Sequence, residues 1–160
     1  MPGLARLNAL PDGEAVEVLL GCCSAPGWAR RVAARRPFGS VDDLLAAAAA
    51  AWAAREPGEL EAAMAGHPRI GERGLSAQSR QEQSGVGSDP GVVEALREAN
   101  AAYEDRFGHV FLICATGLSG EQMRAALEER LRNDPATEQA VATAELEKIT
   151  LLRVAKKLAA

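Results

Sequence analysis

Along most of this chain the apolar positions are filled by alanine and leucine, β-branched residues are few, and intrinsic propensity favours helix nearly throughout. The clearest stripe lies late in the sequence. Val141, Leu146, Ile149, Leu152 and Val154 recur near helical spacing, with Glu145, Glu147, Lys148 and Lys156 interleaved. Asp134-Pro135 places a cap residue before proline at the first helical position, so this helix is predicted to begin there and run to about Lys157. Asp89-Pro90 repeats the device and predicts a helix to about Arg106. Ser119-Gly120-Glu121-Gln122 is a capping box that opens another, ending near Asn133. Ser40 before Val41-Asp42-Asp43 starts a helix to about Arg55. Shorter helices are predicted over Asp12 to Leu20, Pro26 to Arg36 and Glu59 to Ala65. His109 to Ala115 is a continuous apolar run; one strand without a partner makes no sheet, so it reads as a buried extended segment or a helix start. The expected fold is all-α, one domain over residues 1–160.

Composition narrows the function classes. With 18 basic against 22 acidic side chains, a formal net charge of −4 and 4% aromatic residues, the chain lacks the basic face and stacking surface of a nucleic-acid or anionic-membrane binder. No run reaches the about 20 apolar residues of a membrane span. The first residues lack the order of a secretory signal, and the last ones are not a Ser-Lys-Leu address, so a cytoplasmic location is expected. The cysteines are Cys22, Cys23 and Cys114, an odd number that fits a reducing compartment better than a disulfide framework. No metal site is expected either, because Cys-x-x-Cys is absent and the histidines are only His67 and His109.

One stretch departs from the alanine-rich pattern. Between Gly66 and Asp89 the chain concentrates His67, Pro68, Arg69, Arg73, Ser79, Arg80, Glu82, Gln83 and Ser84, and a long polar loop of this kind is usually functional or disordered. His67 precedes proline, which pushes it out of helical geometry; it is either an acid–base group or a helix-terminal side chain meeting end carbonyls. Glu82 is either its carboxylate partner or half of a Ser79–Glu82 capping box. Arg153 lies on the apolar stripe of the last helix, where a buried guanidinium needs an anionic partner: a ligand or a structural carboxylate. Arg69 and Arg73 read as solvated loop residues. There is no Gly-x-Ser-x-Gly elbow, Gly85-Val86-Gly87 is too isolated for a phosphate loop, and the apolar setting of Cys114 disfavours a thiolate.

Gly66-His67-Pro68-Arg69-Ile70-Gly71, then Ser79-x-x-Glu82-Gln83-Ser84-Gly85, then Asn100-x-x-Tyr103-Glu104-x-x-Phe107-Gly108-x-x-Phe111-x-Ile113-Cys114-Ala115, occur in an order that resembles the OHCU decarboxylases. These enzymes act on 2-oxo-4-hydroxy-4-carboxy-5-ureidoimidazoline (OHCU) in urate breakdown. Arg36-Pro37-Phe38-x-Ser40, Arg130-Leu131-x-Asn133 and Glu145-x-x-Lys148-Ile149-x-x-x-Arg153 extend the resemblance over nearly the whole chain. The resemblance implies an all-α, cofactor-free enzyme, commonly a homodimer, whose partner is a small anionic substrate. It implies His67 and Glu82 as the catalytic pair and Ser79 and Gln83 as hydrogen-bonding groups, with Pro68 at the pocket wall. The Phe111, Leu112 and Ile113 backbone would line the pocket, and Arg153 would bind the substrate anion. The lack of a peroxisomal tail points to a bacterial-type cytoplasmic form. Two rivals share the composition: a non-catalytic helical interaction module, and a same-fold enzyme acting on another ureido or imidazoline acid.

Overall fold

Local capping chemistry accounts for most of the helix boundaries. The computed structural model describes residues 3–71, 75–87 and 89–158, and all the α-helices and the one 3₁₀ turn in it lie among them, with no strand among the described residues. In chain order the helices are α1 (Gly3–Ala9), α2 (Asp12–Leu20), α3 (Pro26–Ala33), α4 (Val41–Ala53), α5 (Glu59–Ala65), α6 (Ala77–Glu82), α7 (Pro90–Phe107), α8 (Gly120–Arg130) and α9 (Pro135–Leu158). A 3₁₀ turn, Ser84–Val86, follows α6. The Ser40 hydroxyl accepts from the Asp43 N–H at 3.1 Å to open α4. Asp89 does the same for the Gly91 N–H at 2.9 Å, and Ser119 and Gln122 form the reciprocal box at the head of α8.

Four expectations need correction. Helix α1 carries no capping signal and was not anticipated. Helix α3 stops at Ala33 rather than Arg36, because the Arg36 guanidinium turns back onto the carbonyls of Leu7 (2.8 Å), Leu10 (2.6 Å) and Ala33 (3.1 Å). Helix α8 ends at Arg130, and Leu131 to Asn133 form a turn. On α9 the apolar stripe was drawn too wide. Leu152 is 39% exposed, whereas Ala142, Leu146, Ile149, Val154 and Leu158 are buried together with Glu138, Thr150 and Arg153.

The described chain divides into two compact units. One comprises residues 1–66 and 147–160, the other residues 67–146. In the first, α3 packs against α2, α4 and α5, and its core includes Leu19, Trp28, Val32, Leu44 and Trp52. The Trp28 indole donates to the Ala48 carbonyl at 3.0 Å, which satisfies its buried N–H. Arg31 forks onto Glu59 at 2.8 and 3.0 Å, and this hydrogen bonding holds the Glu59 carboxyl below the usual carboxylate range against the opposing effect of burial.

In the second unit α7 packs on α8 around Ile70, Leu96, Tyr103, Phe111, Ile113, Met123 and Leu127. Its polar centre is ionic. Glu138, 0% exposed, takes Arg130 Nε at 3.0 Å on both oxygens and Nη2 at 2.6 Å on Oε2. The Tyr103 hydroxyl donates to the same Oε2 at 2.6 Å, and Asn133 Nδ2 reaches Oε1 at 3.3 Å. Arg130 sits in the last turn of α8 and Glu138 in the first turn of α9, where each charge opposes the local helix dipole. The bend between those helices brings the pair together.

Burial works against the charged form of Glu138, but hydrogen bonds from Arg130 and Tyr103 outweigh it and hold its pKa below the ordinary value. A carboxyl depressed by folding stabilises the native state above its unfolded pKa of about 4.3, and that stability is lost as pH falls through the native value. Glu138→Gln leaves Arg130 without a counter-charge and is expected to cost about 3 kcal/mol at neutral pH. It should also flatten the fall in Tm below about pH 5, measured by thermal melts across pH. A variant whose Tm falls with acid as steeply as the parent's would rule out this origin. A second constraint is steric. A β-carbon on Gly85 would overlap the Leu118 carbonyl oxygen, so Gly85→Ala should cost about 1–3 kcal/mol in denaturant unfolding.

Candidate functional site

The sequence from Gly66 onward leaves the helix for reasons that are visible atom by atom. The Ser24 hydroxyl donates to the Ala62 and Ala63 carbonyls (2.7 and 3.2 Å), meeting the end of α5, and a side chain on Gly66 would collide with it. His67 follows, half-buried and non-helical, with Pro68 half-buried beside it. The Ser24 hydroxyl is thus one group that meets the helix-end carbonyls.

Beyond His67 the backbone is tied down at three points. Arg69 forks onto Glu104 of α7 with three contacts of 2.8–3.1 Å, so it is exposed but ion-paired, not merely solvated as expected. Arg73 lies outside the described residues. Asn100 Nδ2 donates to the Ile70 carbonyl at 3.1 Å. Gln83 bridges the segment: its Oε1 accepts from the Gly71 N–H at 2.9 Å and its Nε2 donates to the Arg69 carbonyl at 3.3 Å. Gln83 immediately follows Glu82, so this carboxamide brings the end of α6 to the backbone two residues beyond His67. Half of the amide's hydrogen-bonding capacity is used by the loop, and a second N–H and a second lone pair are its remaining capacity.

Helix α6 is capped by Ser76, whose hydroxyl accepts from the Ser79 N–H at 3.1 Å. Of the two readings of Glu82, the Ser79–Glu82 capping box is not observed: Ser79 lies within the helix, buried, and Glu82 ends it, half-buried. His67, Pro68, Ser79, Glu82 and Gln83 belong to one unit.

Phe111, Leu112 and Ile113 belong to the same unit and are all buried, in a span from Val110 to Ala115 that is neither helix nor turn. The extended alternative for this run is the one observed. Arg130 Nη1 donates to the Leu112 carbonyl at 2.6 Å, and Glu145 Oε1 accepts from the Cys114 N–H at 3.1 Å. Phe111 stacks edge-on to Tyr103, with ring centroids 5.3 Å apart, and lies 4.5 Å beneath the Arg130 guanidinium carbon.

Arg153 belongs to the other unit. It is buried on α9, and it is one of the charges that act on the Cys23 thiol, whose pKa burial pushes up. A cavity of about 400 Å³ in the second unit is lined by Arg69, Ile70, Gly71, Arg97, Asn100 and Glu104 among others, and none of the sequence-predicted site residues lines it. Asn100 and Arg130, which bond the backbone of the candidate segments, and Glu104 and Glu138, which hold Arg69 and Arg130, were not singled out as functional from the sequence. The one usable signal was Arg130 three residues before Asn133 and eight before Glu138, across a proline-initiated helix start.

Comparison with known proteins bears on the family and the fold. The family model described as OHCU decarboxylase matches residues 8–155. The 2-oxo-4-hydroxy-4-carboxy-5-ureidoimidazoline decarboxylase of Amia calva is 32% identical, the match covering 94% of this chain and 91% of that protein. Its counterpart from Haloferax volcanii is 31% identical, with 96% and 95% covered. A crystal structure of an OHCU decarboxylase in the presence of (S)-allantoin superposes with a TM-score of 0.78 at 27% identity, covering 92% of this chain and 97% of that one. With motifs, fold and matched length in agreement, this chain belongs to the OHCU decarboxylase family.

Proposed function

We propose that this protein decarboxylates OHCU to (S)-allantoin without a cofactor, using His67 and Glu82 as its acid–base pair. The observation that carries the reading is the Gln83 bridge, which ties the His67–Gly71 segment to the end of α6 where Glu82 stands. The decarboxylases named above supply the reaction, and the (S)-allantoin present with the related structure supplies the product hand.

The substrate carries its own electron sink. The carbon losing CO2 bears a hydroxyl, and its ring neighbour, which bears the ureido group, is an imine carbon. When the carbon–carboxylate bond breaks, its electron pair forms a double bond to that neighbour, and the imine pair moves to the ring nitrogen, which takes a proton. The resulting enol then loses its hydroxyl proton and gains one at the ureido-bearing carbon, leaving a ring carbonyl. The protein needs to orient the ring and handle protons on one face. His67, oriented by Glu82, takes the hydroxyl proton or stabilises the ring anion. Ser79 and Gln83 hydrogen-bond the ring beside Pro68, and the Phe111–Leu112–Ile113 backbone presents amides to its oxygens. Arg153 binds the substrate's negative charge while leaving the departing carboxylate free, since a salt bridge to that group alone would stabilise the ground state. A homodimer and a cytoplasmic location belong to the same proposal.

His67→Asn should lower the rate by roughly a hundred- to ten-thousandfold and erode the optical purity of the allantoin formed from freshly generated OHCU. A near-parental rate with full enantiomeric excess sinks the assignment. Arg153→Lys keeps the charge but loses the planar fork, and should weaken binding of a carboxylated substrate analogue by roughly tenfold in calorimetry. Unchanged affinity would make Arg153 structural.

A further inference from the structure

Helices satisfy their own backbones, but the Val110–Ala115 span cannot, and buried amides and carbonyls outside regular structure have to be met by other groups. Two charged side chains meet this one, Arg130 at the Leu112 carbonyl and Glu145 at the Cys114 amide. Arg130 is itself immobilised. Its Nε and Nη2 are on Glu138, its Nη1 is on Leu112, and its face lies over Phe111, the residue before the one it holds. Glu138 is fixed in turn by Tyr103 and Asn133. The chain of contacts thus runs from three helices to a single carbonyl.

Stability alone is a poor explanation for this arrangement. Burying an ion pair costs several kcal/mol of desolvation, and well-packed apolar residues of the same volume are often at least as stabilising. A guanidinium with each of its three nitrogens hydrogen-bonded does something an apolar cluster cannot: it fixes the position of a backbone oxygen through a short charge-assisted bond.

We propose that Arg130, held by Glu138, is a positioning residue for the decarboxylation, locking the Phe111–Leu112–Ile113 backbone so that its amides stand at fixed points around the bound ring. The inference rests on the function proposed above and deepens it. Both side chains are buried and bonded to protein groups. Their effect passes through the backbone, where a displacement of about 1 Å can cost about a hundredfold in rate. Protonation on one face of a planar enol depends on the ring being held in a single pose, so positional slack should appear in the stereochemistry as well as in the rate.

The test is Arg130→Lys in the full chain, with folding checked by circular dichroism and thermal melting. Lysine keeps the charge but cannot bond Glu138 and Leu112 together in the fork geometry. On freshly generated OHCU, kcat should fall about 10- to 100-fold. KM should move less than about threefold, because the loss falls on the transition state rather than on binding. Enantiomeric excess should drop, and amide hydrogen exchange at Leu112 to Cys114 should quicken. Glu138→Gln should shift kcat and enantiomeric excess in the same direction, and it carries the test if Arg130→Lys does not fold. A folded variant with parental kcat and enantiomeric excess overturns the proposal, whatever its melting temperature. An inert parent protein overturns the proposed function and this inference with it, whereas an active parent with an unaffected variant overturns this inference alone.

Discussion

A buried stretch of backbone without a neighbouring strand is the most demanding element of an otherwise helical fold, and here the ion pair of Arg130 and Glu138 answers that demand. The pair joins the last turn of α8 to the first turn of α9, receives the hydroxyl of Tyr103 from α7, and ends on the Leu112 carbonyl. The aromatic packing of Phe111 and Tyr103 surrounds it, so the apolar core of the unit and its polar centre are built from the same residues. The energetic asymmetry of such a network is large. Intact, it contributes little beyond what an apolar core would; with one member missing, it strands a charge in low dielectric.

What could be read from the sequence was whatever closes within three or four residues. The caps at Ser40, Asp89 and Ser119 bond to amides two or three positions away, and the helices that they open begin where expected. Boundaries failed where the deciding partner was distant. Arg36 leaves α3 for carbonyls 26 and 29 residues away, and nothing local to Pro26–Arg36 signals that. Ser79 offered a perfect local pattern with Glu82 and still lost the capping role to Ser76, because two serines three residues apart present two equally plausible starts. The polar segment around His67 and Glu82 was legible as a break in composition. Its supports, Asn100, Glu104 and Glu138, were not, since their partners lie 30, 35 and 8 residues away.

Whole-chain charge was similarly blind to placement. A net charge of −4 argues against a basic surface, yet the cations that organise this protein are inside it. Arg130 and Arg153 are buried, and Arg31 is half-buried. Arg130 and Arg31 each fork onto a carboxylate. Surface sums report on encounter with macromolecules, whereas a small anionic substrate depends on single guanidinium groups fixed in apolar surroundings.

The Gln83 carboxamide is also a tether. By bonding Arg69 and Gly71 it closes a chain excursion of 11 intervening residues, from position 72 to position 82. Loop-closure entropy grows only logarithmically, so even doubling such an excursion costs about 0.6 kcal/mol. The backbone at Arg69 and Gly71 and the end of α6 are thereby fastened to each other by one side chain rather than by the length of chain between them.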